Sequence, residues 1–528
     1  MDRDSVLQAF CFPVCRKDVS IIMQKTLGRA YRFFLWGFAG CFFLVLLRVA
    51  VSLTKRPASS LLLVGFSAVL VAACALMVMQ FRKSAWFHTL AQKEWNRSLF
   101  AIFLFCIFAL QCVLGWELRC NPEGNPAIYY DLRAMHNNAL SLLSGEGIKA
   151  RPYFAQYPHQ LFPLLLLTAY YGVFKLLFGT VPLYAGIPLN IILLDCGILL
   201  LYLLARRLFG NRMALFSALL CMVFPPFYTY VPFFYLDTFS LPFTVLPLYL
   251  YVCAQQQANA RRKIALSLGC GAAIGFGALL RPTILILLVA IGMHLLWASG
   301  LRRLWKPALL LVLAFLTLYS GAKALVNSQN LLAEEELHTY QFPKTHWIMM
   351  GLKDPMWNRA DEEFTKASGD YEQKEAATIQ EIKVRLQERG IGGTLRYLWK
   401  KSAFQWSDGT YRSGIYLSRS PAKSEKTLLH QFFLKSGKYY RWFRAYSQIF
   451  LFAILGLSLY SLLRHLRKRT IALQTVLYLT WMGVFLFFLF WEANPKYLLN
   501  FMPILFLCAA DGFQNFTRIR IRRFQLSA

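Results

Sequence analysis

Apolar residues in this chain come in blocks of about twenty, separated by short polar and basic stretches, and not at the spacing of a surface helix. A block of that length, wound as a helix at 1.5 Å per residue, spans the roughly 30 Å hydrocarbon core of a bilayer. Only a helix satisfies its own backbone groups there. The pattern predicts twelve spans: 33–53, 60–80, 99–118, 186–205, 212–231, 236–255, 264–280, 282–298, 306–326, 447–464, 470–491 and 496–513. A thirteenth block, 160–178, reads LFPLLLLTAYYGVFKLLFG and carries Pro163, Lys175 and a terminal Gly179. The expected fold is therefore an all-α polytopic membrane protein.

Charge decides how the blocks are threaded. Short Lys/Arg clusters sit between them: Arg16 to Arg32, Arg82 to Arg97, Arg206-Arg207 with Arg212, Arg261-Arg262-Lys263, Arg302-Arg303 with Lys306, Arg464 to Arg469, and Arg518 to Arg523. Basic loops stay on the cytoplasmic side. Placing all of these inside puts both termini inside. Counting 160–178 as a full span would flip every later cluster, so the block reads as a re-entrant or juxtamembrane helix with both ends outside. Two outer regions result. One is the first loop, 119–185. The other is 327–446, whose stretch EQKEAATIQEIKVRLQERG has helical apolar spacing and ends at Gly390, a C-cap residue. The expected organisation is a cytoplasmic segment 1–32, a membrane module 33–326, a mainly helical outer lobe 327–446, C-terminal spans 447–513 and a basic tail 514–528.

Composition narrows the class. Hydrophobic residues make up 57% and charged residues only 16%, where a soluble domain carries about 25% charged; mean hydropathy is +0.43. The net charge of +31 raises nucleic acid as a partner, but no basic stripe with stacking aromatics lies outside the apolar blocks, so that class is excluded. The twelve cysteines fall mostly inside apolar blocks without CxxC pairs, as small core residues do. No cleavable signal segment precedes the first block. His338 and His346 have no further ligand set at metal spacing. Asp195 and His294 lie inside spans and are expected to pair with neighbouring helices.

Ionisable residues at span ends are costly and by default functional. Asp131 lies in AIYYDLRAMHNNALSLLSGEGI, Asp237 in PFFYLDTFS, Arg281 in GALLRPTILI, and Glu492, Lys496 and Tyr497 in FWEANPKYLLNFMP. All fall at the outer level. Carboxylates there offer a general base to an acceptor hydroxyl or amine. Arg281 and Lys496 offer cations to a phosphate. Such a site suits a substrate with a lipid tail in the membrane and a phosphate at its surface. The plainer readings are an N-cap for each Asp and a snorkelling Lys496.

In layout the sequence resembles the GT-C superfamily of membrane glycosyltransferases, in its protein O-mannosyltransferase and aminoarabinose-transferase-like (family 39-like) branch. The motifs that carry the resemblance are Asp131 followed by ALSLLSGEG; Tyr157-Pro158-His159-Gln160 opening the 160–178 block; the hairpin LLLYLLARRLFGNRMALFSALLCMVFP; and Glu492-Ala493-Asn494-Pro495-Lys496-Tyr497 before a last span with Pro503. Proline precedes the histidine where the family places it after, and Lys496-Tyr497 stands where Arg-Tyr is common. The resemblance implies inverting sugar transfer from a polyprenyl-phosphate-linked donor to an extracytoplasmic acceptor, which is an envelope polymer, a glycolipid or a protein. It implies Asp131 as general base and Asp237 as a second catalytic-site carboxylate. Arg281, Lys496 and Lys175 would bind the donor phosphate, with Glu492 and Tyr497 shaping that pocket. His159 and Tyr157 would position substrate, and the 160–178 helix would seat the polyprenyl chain among membrane lipids. The first loop lacks a paired acidic motif, so no metal or other cofactor is expected. The location implied is a plasma membrane of bacterial type. The competing reading is a twelve-span secondary transporter or lipid flippase, which would show an internal repeat and a midplane site; neither is found. A docking module of the envelope would account for the lobe but not for the grouped charges.

Overall fold

The computed structural model describes residues 13–54, 93–121, 130–419, 421–423, 426–468 and 471–525. Among these, ten helices are long and apolar enough to cross a membrane, and no β-strand occurs. In chain order the main helices are α1 (Pro13–Thr54), α2 (Lys93–Glu117), α3 (Tyr130–Leu143), α4 (Leu161–Phe178), α5 (Gly186–Phe209), α6 (Asn211–Met222), α7 (Pro242–Gln255) and α8 (Ala260–Leu280). They continue as α9 (Leu285–Ser299), α10 (Leu301–Ser328), α11 (Lys344–Lys353), α12 (Arg359–Ala367), α13 (Tyr371–Trp406), α14 (Tyr440–Arg467), α15 (Thr475–Phe490) and α16 (Met502–Gln525). The expected span 60–80 lies outside the described residues.

Polar contacts fix which helix ends share a level. At one end, Asn96 of α2 donates to the Asn211 carbonyl (2.9 Å) and accepts from Tyr202 of α5 (2.6 Å). Tyr31 meets His465 (2.6 Å), His294 meets Tyr251 (2.6 Å), and Gln514 donates to the Phe209 carbonyl (3.4 Å). This end carries the Arg206, Arg261 and Arg464 clusters and is the basic end. At the other end Gly115 abuts Ile187 and Val231, and Trp116 meets Tyr184 edge-on at 6.1 Å. This is the lobe end. The first and last described spans, α1 and α16, both have one terminus at the basic end.

Because α2 finishes and α5 begins at the lobe end, the chain between them leaves and returns at that level. The block 160–178 is therefore no net crossing, although Pro158–Phe178 is long enough for one. It lies beside α3: Tyr171 bonds His136 (2.7 Å), Gly172 touches Leu143, and Tyr170 donates to the Ala185 carbonyl (2.8 Å). Gly179 ends α4 at φ +78°, and Leu176, Leu177 and Phe178 stand exposed.

Two expected spans are shorter than their apolar blocks. The block 212–231 breaks after Met222, because Pro225 and Pro226 lack the N–H that continues a helix. The block 470–491 is helical only over Thr475–Phe490. Close approach is set by small residues: a Cβ at Gly271 would strike the Leu311 carbonyl, and one at Gly275 would lie 3.1 Å from the Phe315 carbonyl, so α8 and α10 pack backbone to backbone.

Between Glu334 and Leu417, and again over Leu428–Phe433, helices joined by short turns lie over the lobe end. Asp370 and Gln373 cap α13 reciprocally (2.9 and 3.1 Å). Gly390, at φ +60° and ψ 179°, breaks α13 into two segments; it ends the first segment as its sequence implied, but a second begins at once. Arg151 of the first loop forks onto Glu336 (2.7 and 2.5 Å), and Lys423 pairs with Glu117 (2.6 Å), which ties the lobe to the bundle.

Candidate active site

Three polar groupings meet where the lobe covers the bundle. The first is centred on Asp237, the second residue of a four-residue helical turn, Leu236–Phe239. No side-chain cap forms on this turn, so the carboxylate is spent otherwise. Arg281 Nη1 is ion-paired with one oxygen, and Lys496 Nζ lies 3.7 Å from the other. Arg281 reaches this position because Pro282 forces the preceding residue out of helical geometry. Its backbone is extended (φ −149°, ψ 109°) and α8 stops there. Lys496 is the second residue of a 3-10 turn, Pro495–Phe501, and its N–H is capped by Asn494 (3.3 Å). Arg281 and Lys496 both lie over the Tyr497 ring, at 5.0 and 5.3 Å, a cation–π arrangement. All three charged side chains are nearly buried.

The second grouping belongs to Asp131, in the first turn of α3. Tyr153 donates to its Oδ1 (3.0 Å). Tyr153 in turn shares a hydrogen bond with Tyr235, and Gln160 donates to the Tyr235 hydroxyl (2.5 Å). Each hydroxyl has one proton. With that of Tyr153 committed to Asp131, Tyr235 must donate to Tyr153, so the chain Gln160–Tyr235–Tyr153–Asp131 runs in one direction. Burial pushes the Asp131 carboxyl up from the ordinary carboxylate value, while Lys496 and the Tyr153 hydroxyl oppose the rise.

The third grouping is Glu492 on the turn after α15. The Trp357 N–H donates to its Oε1 (3.0 Å), and the Tyr497 hydroxyl lies 3.3 Å from the same atom. Burial raises this carboxyl too. The lobe grips the turn through its backbone: Glu492 N–H donates to the Trp347 carbonyl (3.1 Å) and Ala493 N–H to that of Pro355 (2.5 Å). Lys401, 1% exposed, bridges the carbonyls of Gly351 (2.7 Å) and Leu489 (3.1 Å) and faces Glu492. Desolvation brings its ammonium down to about 7.

Asp131, Asp237, Arg281, Glu492, Lys496 and Tyr497 thus gather in one place, and Lys496 influences both Asp131 and Asp237. Tyr157 stands at the rim, its ring 5.1 Å from Tyr153 and 5.8 Å from Trp347. His159 meets the edge of Tyr157, at 6.3 Å, and is otherwise exposed. Lys175 is not brought in. It sits on the exposed last turn of α4, fifteen residues or about 22 Å of helix beyond Gln160. A membrane-surface position, with the charge reaching to the interface, suits it better than the cluster does. Tyr153, Tyr235 and Lys401 are site residues that the sequence does not mark, and Gln160 stands in the Tyr157–Gln160 motif without an assigned role; neutral polar side chains, and one lysine among many in the lobe, carry no signal of depth.

Asp237 is already paired with two cations. Among the described residues no group of three or more His, Cys, Asp or Glu is placed to hold an ion. His346 instead bonds Thr365 (2.7 Å) and His338 meets Glu372 (2.9 Å).

Among solved structures, the chain is similar to the archaeal oligosaccharyltransferase AglB from Archaeoglobus fulgidus, in complex with an inhibitory peptide and a dolichol-phosphate. The two share 16% identity over 82% of this chain and 52% of that one, with a TM-score of 0.43. It is also similar to ArnT from Cupriavidus metallidurans bound to undecaprenyl phosphate, at 16% identity over 80% of this chain and 78% of that one, TM-score 0.35. The chain thus spans about half the length of the archaeal enzyme. Comparison with curated proteins finds no match. The family described as "conserved hypothetical integral membrane protein" matches residues 23–515, nearly the whole length, and the chain belongs to that family.

Proposed function

We propose that this protein is a GT-C-type membrane glycosyltransferase, moving a sugar from a polyprenyl-phosphate-linked donor to an acceptor on the lobe side, with inversion. The observation that carries this reading is the juxtaposition of a hydrogen-bonded carboxylate, Asp131, with the Arg281–Asp237–Lys496 triad at the lobe end of an apolar bundle. The acceptor oxygen attacks the anomeric carbon and its proton passes to Asp131. The bond from that carbon to the phosphate oxygen breaks, and the electron pair leaves with the phosphate. Arg281 and Lys496 are pre-oriented by Asp237 to receive the growing charge, where low dielectric makes the contact strong. Asp237, engaged by both cations, serves by aligning them. Glu492 and Tyr497 shape the phosphate pocket, and Tyr157 and His159 line its entrance. The basic clusters support a cytoplasmic basic end, which puts the site on the outer face.

Purified protein incubated with polyprenyl-phosphate sugars and an envelope extract as source of acceptor should release polyprenyl phosphate. Asp131→Asn should lower that rate by about 100-fold or more, as loss of a general base does. Turnover by Asp131→Asn equal to wild type would remove the assigned base, and no release from any donor would remove the enzyme reading.

A further inference from the structure

The lobe is electrically split. Residues 327–388 hold 7 Lys/Arg against 12 Asp/Glu, whereas residues 389–446 hold 12 Lys/Arg against 2 Asp/Glu. Cations in short loops are topology signals, but these sit at the end opposite the basic clusters, so topology does not account for them. Part of the excess has structural work. Lys401 is buried, Arg389 donates to the Leu352 carbonyl, and Lys423 pairs with Glu117. Another part faces outward. Arg419, Lys426, Lys435 and Lys438 are all exposed and close a small sub-lobe beside the site.

Their placement follows from backbone contacts. The short helix Ser413–Leu417 presents Tyr416 to the site, where Asn494 donates to its hydroxyl (3.2 Å) and Lys496 Nζ lies 5.7 Å from its ring. Arg419 lies 5.4 Å from the same ring. The Lys435 N–H bonds the Gly414 carbonyl (3.0 Å) and Ser418 (2.8 Å), and Lys426 reaches Ser436 (3.2 Å). Lys438 is anchored through its N–H to Gln431 (2.9 Å) and lies over Tyr439 at 5.4 Å. These four exposed cations therefore share one small sub-lobe, which joins the site at the Tyr416 wall beside Lys496, and they form its basic file.

Resting on the glycosyltransferase reading, we propose that this file docks a polyanionic acceptor: a chain bearing repeated phosphodiester or carboxylate groups, one end of which reaches Asp131. Charge complementarity selects the class. Exposed cations spaced along a surface bind a multiply charged chain through many weak contacts, and they contribute little towards a neutral glycan or an uncharged peptide.

The test uses the full-length protein in nanodiscs of neutral phosphatidylcholine, with fluorescein-labelled linear polyphosphate as probe and fluorescence polarisation as readout. The compared proteins are wild type, the quadruple variant Arg419→Gln/Lys426→Gln/Lys435→Gln/Lys438→Gln, and a basic-end control, Arg261→Gln/Arg262→Gln. The expected result is binding at least tenfold weaker in the quadruple variant, with a shallower salt dependence, and unchanged in the control. Equal affinity in wild type and quadruple variant overturns the proposal. So does a variant whose only change is loss of phosphatidylglycerol retained from mixed nanodiscs, which would make the file a lipid-headgroup surface. If wild type turns over no donor while the difference in polyphosphate binding stands, it is the glycosyltransferase reading that fails.

Discussion

Asp131 owes its chemistry to a balance between burial, which favours the neutral acid, and two nearby groups that favour the anion, Lys496 and the Tyr153 hydroxyl. Its carboxyl titrates above the ordinary value of about 3.9. A base must be ionised to act, so transfer should rise with pH through a midpoint above that value. Tyr153→Phe removes one group that lowers the carboxyl, and should move the acidic limb of the pH–rate profile to higher pH. An unshifted limb would detach Tyr153 from Asp131. Lys401 gives a second titration, read in stability. Its ammonium is held down to about 7, against about 10.4 in an unfolded chain. The folded state is favoured fully above the unfolded value, and that advantage disappears as pH falls through about 7. Wild-type melting temperature should therefore climb from pH 7 to pH 10 more steeply than that of Lys401→Met, measured by differential scanning fluorimetry. Parallel slopes would contradict a buried, titrating lysine facing Glu492.

At the scale of elements, two helix pairs differ in what their glycines permit. A Cβ at Gly271 meets the backbone of α10, which cannot rotate away, whereas one at Gly292 in α9 meets nothing within 4 Å. Gly271→Ala should cost about 1–3 kcal/mol, as overpacking does, and Gly292→Ala should be neutral or slightly stabilising. Chemical denaturation in detergent distinguishes them; equal stability would mean α8 and α10 are looser than described. The element scale is also where the pattern of apolar blocks was most readable and where it erred. Span positions followed from block length alone. The break after Met222 needed the joint effect of Pro225 and Pro226, and the second segment of α13 resumed past Gly390 because one residue at positive φ ends a segment without preventing the next. The charged site residues were legible because a carboxylate or guanidinium at the edge of an apolar block is costly to keep unless it is paired or used. Lys175 has the same sequence signature and a different place, since helix length carries it away from the cluster.

Across the whole molecule, the site exists because the lobe and the bundle are clamped together. Lys401 and the Trp347 and Pro355 carbonyls join them around Glu492, and the Arg151–Glu336 fork joins the lobe to the first loop. Sidedness is testable directly. A cysteine replacing exposed Lys400 should react with a membrane-impermeant maleimide on intact cells, and one replacing Arg261 should react only after permeabilisation; the reverse pattern would invert the orientation. By itself, the sequence determined the class of solvent, the approximate spans, the sidedness argument and which charges stand at one level. Each of these depends on composition within a block or on its flanking charges, which are local quantities. The tertiary structure alone decided that Asp237 is held by two cations, that a directed chain of hydroxyls ends on Asp131, that Lys401 pins the Glu492 turn and that Lys175 stays outside. Those facts depend on contacts between residues tens to hundreds of positions apart, and no periodicity along the chain encodes them.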